Sequence, residues 1–248
     1  MNMQKCLVKK QLAVLLAGFG LLTAGSAHAT LQLAFDANGG PSTVVIDNVS
    51  PQDTNPALNT ITLANGFQPT PGLIVDGSTH TANFSNNDIT SGSSSVTNDT
   101  TAAVHIVGDV SATGFAAEGL SDSTASGTFV NAIGSTITVS FWNDPTNTQG
   151  ATAAGDHPGV EVGTYTFNVT QATQSFSYDS GLVAVNDPGL NSMTVQFDYN
   201  LVAGGQLVSR GQAEISSVPE PATPLLMVTG LIALFIKNYR NKNSLTAA

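Results

Sequence analysis

The run Met193, Val195, Phe197, Tyr199 and Leu201 places an apolar side chain at every second position, with Thr194, Gln196, Asp198 and Asn200 between them. Side chains of an extended chain point to alternate faces, so this spacing gives a strand with one buried and one wet face; on a helix it would scatter the apolar groups around the axis. Ile137, Val139 and Phe141 alternate in the same way with Thr136, Thr138 and Ser140, and Tyr165, Phe167 and Val169 with Thr164, Thr166, Asn168 and Thr170. Shorter runs at Leu31 to Phe35, Val44 to Asp47, Ile61 to Leu63, Leu73 to Val75, Val104 to Val110, Phe176 to Asp179 and Leu207 to Ile215 complete the set. Turn residues separate them, as at Asn38-Gly39-Gly40, Asp76-Gly77 and Asp187-Pro188-Gly189. Between residues 30 and 217 there is no amphipathic helical pattern and no fixed-period repeat. The expected fold class is all-β, an antiparallel, jelly-roll-like β-sandwich. Two segments, Ser91 to Thr101 and Asn143 to Gly159, are expected as loops because Ser, Gly, Asn and Thr dominate them.

Both ends of the chain carry a different signal. Lys5, Lys9 and Lys10 precede an apolar core from Leu12 to Leu22, and Ala27-His28-Ala29 supplies the small-x-small pattern read by signal peptidase. Residues 1–29 are therefore expected to be a signal peptide, with cleavage fixed by Ala27 and Ala29. At the other end, Val218-Pro219-Glu220-Pro221 leads into the apolar stretch Leu225 to Ile236 and then Lys237, Arg240 and Lys242. As a helix that stretch covers about 18 Å of a hydrocarbon core near 30 Å, so it suits transient rather than permanent residence in a membrane. The basic end keeps the C-terminus cytoplasmic and leaves the preceding chain outside. Pro219 and Pro221 hold Glu220 in an extended peptide accessible to a processing enzyme.

This order of Pro-bracketed acid, short apolar helix and basic stop resembles the PEP-CTERM sorting tail of proteins exported by Gram-negative bacteria that make exopolysaccharide. The resemblance covers residues 218–248. It implies recognition of Val218, Pro219, Glu220 and Pro221 by an exosortase, a membrane-embedded protease, and release to the cell surface or biofilm matrix. An ordinary C-terminal anchor that is never cut is the alternative. Leu33-Ala34-Phe35-Asp36-Ala37-Asn38-Gly39, Ile46-Asp47 and Asp53-Thr54-Asn55-Pro56-Ala57 also look like the start of a group of PEP-CTERM ectodomains of unknown role.

The charge of the intervening domain, residues 30–217, limits its partners. It holds sixteen of the seventeen acids and, of the seven Lys and Arg, only Arg210, a formal charge of −15. Such a surface repels nucleic acid and anionic lipid, and acidic polysaccharide too unless divalent cations bridge the two. The single cysteine, Cys6, lies in the signal segment, so no disulfide supports the domain.

Candidate chemistry is sparse. His80 follows Asp76-Gly77 and is expected in a turn, His105 on the wet face of a strand, and His157 in a loop beside Asp156; no metal-protease or nucleophile-elbow motif accompanies them. Glu118, Glu161 and Glu214 offer carboxylates for glycan hydrolysis only if two of them meet across a sugar. Asp36-Ala37-Asn38-Gly39 is similar to the opening of a calcium loop, with Asp47 at the twelfth position, but the interior spacing fits a turn between strands better. Trp142 follows Phe141 and so should face away from the core, where with Asn143 and Asp144 it could stack on and hydrogen-bond a sugar. The sequence reading is thus a non-enzymatic exported protein without cofactor or metal, structural or adhesive in an exopolysaccharide matrix. The alternative is a carbohydrate-binding module centred near Trp142, and behind it a glycan hydrolase.

Overall fold

The computed structural model describes residues 30–116, 119–185 and 189–217, and among them every regular element is a β-strand. The signal peptide with Ala27 and Ala29, Glu118, the Asp187-Pro188 turn, and the tail with Val218, Pro219, Glu220 and Pro221 lie outside the described residues.

The strands build two antiparallel sheets. The six-stranded sheet runs in the order β11 (Val160–Asn168), β10 (Thr136–Asp144), β14 (Leu190–Leu201), β8 (Val104–Ala116), β1 (Leu31–Ala37) and β2 (Thr43–Ile46). The nine-stranded sheet runs β12 (Thr173–Asp179), β9 (Gly119–Val130), β15 (Gln206–Ser217), β7 (Asp88–Asn98), β5 (Leu73–Asp76) and β4 (Phe67–Thr70). β13 (Val183–Val185) continues the edge beside β9, and β6 (Thr79–Asn83) pairs with β7 and with β3 (Thr60–Thr62).

The alternating runs decide how the sheets face each other. Val195 pairs with Phe141 on β10 and Val110 on β8, and Tyr199 with Ile137 and Ile106, so the apolar sets of three adjacent strands share one face. That face meets the inner side of the second sheet. Ring centroids of Phe167 on β11 and Phe129 on β9 lie 6.3 Å apart, those of Phe141 and Tyr178 6.1 Å, and those of Phe35 on β1 and Phe67 on β4 5.4 Å. Phe115, Phe129, Phe141, Leu201 and Leu207 are wholly buried between the sheets, each contributing about 1.5–3 kcal/mol against exposure. The β-sandwich expected from alternation is the observed architecture.

The serine-rich segment expected as a loop departs from that reading. Ser91 to Ser95 lie inside β7, which is paired with β15 on one side and with β6 and β5 on the other. Its position is fixed by backbone bonds to both neighbours, which composition does not reveal. Only Asp99 to Thr101 turn, clamped by the wholly buried Asn98, whose Nδ2 donates to the carbonyls of Ala102 (2.9 Å), Leu201 (2.8 Å) and Val202 (3.1 Å). The second expected loop is observed, from Pro145 to Gly159.

Candidate functional site

The long β10–β11 loop folds back over the outer face of the six-stranded sheet. Gly150 N donates to Ser111 Oγ (3.2 Å), Gln149 Nε2 to the Ser111 carbonyl (3.3 Å), and Gly155 N to Asp109 Oδ2. A side chain at Gly150 would come within 2.7–2.9 Å of Thr194, Pro158 and Ser111, so the loop can lie this close only with glycine there. Asp109 is consequently wholly buried, with Gln196 Nε2 donating to its Oδ1 (3.0 Å). Burial lifts its carboxyl to about 7; the two donors pull the other way, and the negative charges of Asp156 and Asp36 add to the rise.

The residues expected to hold a sugar are built into the root of this loop. Trp142 does face outward, but its indole is half-buried and His157 stacks on it at 3.8 Å between ring centroids, 16° from parallel. Asn143 and Asp144 are buried. Asp144 accepts from Thr146 N (3.0 Å), Thr146 Oγ1 (2.8 Å) and Thr148 N (2.8 Å), and although burial alone would raise its carboxyl, these donors hold it below the ordinary carboxylate value. The exposed platform expected from alternation is therefore covered: Trp142, Asn143 and Asp144 anchor the loop.

The remaining candidates are dispersed. His80 lies in β6 and points between the sheets rather than standing in a turn, because the alternation of Ala82 and His80 puts both inside. Its Nε2 bonds Ser78 Oγ (2.5 Å), its Nδ1 has no partner, and burial lowers its pKa to about 4. His105 is on the outer face as expected, 2.7 Å from Asp198 Oδ1. Glu161 and Glu214 lie on different sheets, and Asn38 and Gly39, with φ of 56° and 68°, make the turn after β1. Among the described residues no group of three or more His, Cys, Asp and Glu side chains gathers in metal-binding geometry.

The nine-stranded sheet carries a site the sequence reading did not identify. β7 and β15 are out of step between Ser209 and Gly211: Ser209 pairs with Ser94 and Gly211 with Ser91, so Gly92 and Ser93 together face Arg210. This bulge re-aims the exposed Arg210, whose Nε donates to Ser126 Oγ on β9 at 2.9 Å. Around it lies a groove of about 550 Å³ lined by Ser93, Thr124, Ser126, Ser177, Asp179 and Gln212 among others, continued past Arg210 by a second hollow of about 290 Å³ beside Gly127, Thr128 and Ser175. Small side chains make the hollow. A side chain at Gly127 would meet the Phe176 ring at 2.6 Å, and one at Gly92 the Thr79 carbonyl at 2.6 Å. Arg210 makes no ion pair among the described residues. The available signal was its place as a lone cation on the outward side of a strand whose Leu207, Ser209 and Ala213 face inward.

No family model matches the sequence, and no curated protein does. Among solved structures, TmCBM61, determined in complex with β-1,4-galactotriose, has a TM-score of 0.34 at 9% identity, covering 58% of this chain and 83% of its own. The C-terminal family 22 carbohydrate-binding module of Clostridium thermocellum Xyn10B gives 0.30 at 12% identity over 62% and 94%. The enzymatically active domain of tailspike protein 4 of bacteriophage CBA120 gives 0.29 at 10% identity over 61% and 21%. None of these likenesses is strong enough to bear on what this chain binds.

Proposed function

We propose that this chain is an exported, non-catalytic β-sandwich that holds polysaccharide in the groove around Arg210, and that its C-terminal tail delivers it to the cell surface or extracellular matrix. The carrying observation is the groove itself, a trough of hydroxyl, amide and charged side chains crossing β7, β15, β9 and β12. Rings of sugar hydroxyls are recognised by such arrays of donors and acceptors, oriented by a few fixed groups. Strand order supports a jelly-roll reading of the sandwich: β7-β15-β9-β12 faces β8-β14-β10-β11, the pattern of two interleaved Greek keys. The non-catalytic reading is supported by the engagement of each described histidine, His80 in the core with Ser78, His105 with Asp198, and His157 on Trp142.

The test is affinity electrophoresis through gels containing the producing organism's exopolysaccharide. Retardation is expected for the native protein and for Trp142→Ala, and loss of it for Arg210→Ala. Retardation that survives Arg210→Ala but disappears in a folded Trp142→Ala variant would move the site to the loop and refute the groove. The sorting reading rests on the Val218-Pro219-Glu220-Pro221 tail. It predicts a mature protein beginning at Thr30, shortened near Pro219 and found outside the cell only when the exosortase gene is intact. An uncut tail in the membrane of both strains would make it a plain anchor.

A further inference from the structure

From the groove we infer the class of polymer it accepts: a neutral, hydroxyl-rich polysaccharide, with Arg210 and Asp179 as the donor and acceptor that select it. This deepens the binding reading above and rests on it. Arg210 has one of its N–H groups committed to Ser126 and forms no ion pair among the described residues, so its terminal donors are open to the groove. Asp179 lines the same groove and has one oxygen bonded to Gly181 N at 2.7 Å, leaving the other as an acceptor. A sugar hydroxyl both donates and accepts, so neighbouring hydroxyls satisfy the guanidinium and the carboxylate together.

A polyanion does so only against repulsion. A carboxylate or sulfate drawn to Arg210 brings like charge up to Asp179 in the same groove, and such like-charge juxtaposition disfavours the wrong partner. The surrounding field acts in the same direction. The domain carries a formal −15, and Asp88 and Glu214 are directly paired across β7 and β15, the strands that frame the groove. Asp88 is raised by burial and then by the Glu214 charge, which marks negative potential at that end. Serine, threonine and glycine form most of the floor, with Ala125, Tyr178, Phe176 and Val208 as the apolar residues among them.

The exported protein is run through gels containing either neutral polymers (dextran, galactan, β-glucan and the neutral fraction of the host exopolysaccharide) or acidic ones (polyuronate and the acidic fraction), at about 0.02 M and about 0.3 M salt. Retardation is expected in at least one neutral gel, changing less than about twofold with salt and weakened at least about tenfold by Arg210→Gln, the loss of one charged hydrogen bond. Asp179→Asn, which keeps the shape and removes the charge, should weaken the neutral interaction and relieve exclusion of the acidic polymers. Unchanged thermal melting of both variants distinguishes a lost contact from a lost fold. Preference for the acidic polymers, falling as salt rises, would overturn the neutral selection while leaving polysaccharide binding intact. Retardation by no polymer would overturn both.

Discussion

Two buried ionisable groups, Asp109 and His80, act on stability with opposite sign. Asp109 has its pKa raised from an ordinary 3.8 to about 7, so the folded state holds its proton more tightly than the unfolded one. Its contribution is fully present below about pH 4 and is lost as pH rises through 7, a change of about 4 kcal/mol. His80 is lowered from 6.5 to about 4. It stabilises fully above pH 6.5 and loses about 3 kcal/mol as pH falls through 4. Between pH 4 and 6.5 the two slopes, each about 1.4 kcal/mol per pH unit, oppose each other and largely cancel. Asp109 is on the outer face of the six-stranded sheet and His80 between the sheets, with no shared hydrogen-bond partner, so single variants should separate them. Urea unfolding at half-unit pH steps gives stability relative to the native protein, which removes the contribution of every other group. Relative to native, Asp109→Asn should gain about 4 kcal/mol from pH 4 to 7, and His80→Gln should lose about 3 kcal/mol from pH 4 to 6.5. Variant profiles that run parallel to the native one would refute the burial argument for the group concerned.

Two further substitutions test how the β7–β8 turn and the β10–β11 loop are held. Asn98→Ala removes a buried amide that serves three carbonyls and should cost about 2–3 kcal/mol, read as a lower urea midpoint; a loss under about 0.5 kcal/mol would mean the β7–β8 turn is held elsewhere. Gly150→Ala forces a methyl group against Thr194, Pro158 and Ser111 and should cost about 1–3 kcal/mol, with faster amide exchange confined to residues 145–159; unchanged exchange there would mean the loop is not seated by this contact.

Alternation made much of the fold legible, because a strand with one wet face writes its burial directly into the sequence. Met193 to Leu201 and Ile137 to Phe141 are strands of this kind, and their inner faces are those expected. β7 and β9 escaped for the opposite reason. Their Ser, Thr and Gly residues carry little apolar pattern, and their place comes from pairing on both sides. The same composition gave rise to the groove, since small side chains on adjacent strands leave a trough that no local motif announces. Trp142 illustrates a different limit. Alternation correctly sends it outward, but whether an outward indole meets solvent depends on the path of the following loop, which here returns His157 onto its face. Asp109 was missed because an acid inside the apolar run from Val104 to Val110 reads as an ordinary outward position until a loop covers it.

The central claim, that the Arg210 groove is the surface that meets polysaccharide, is tested most directly by titrating an isotopically labelled domain with oligosaccharides from the host exopolysaccharide and following the nitrogen–proton spectrum. Arg210 is the single arginine in residues 30–217, so its Nε–H resonance identifies itself. The account predicts saturable shifts of that resonance and of the Ser93, Ser126 and Ser177 amides, with the Trp142 indole unmoved. Shifts centred on the Trp142 indole and residues 145–159, with Arg210 still, would contradict it.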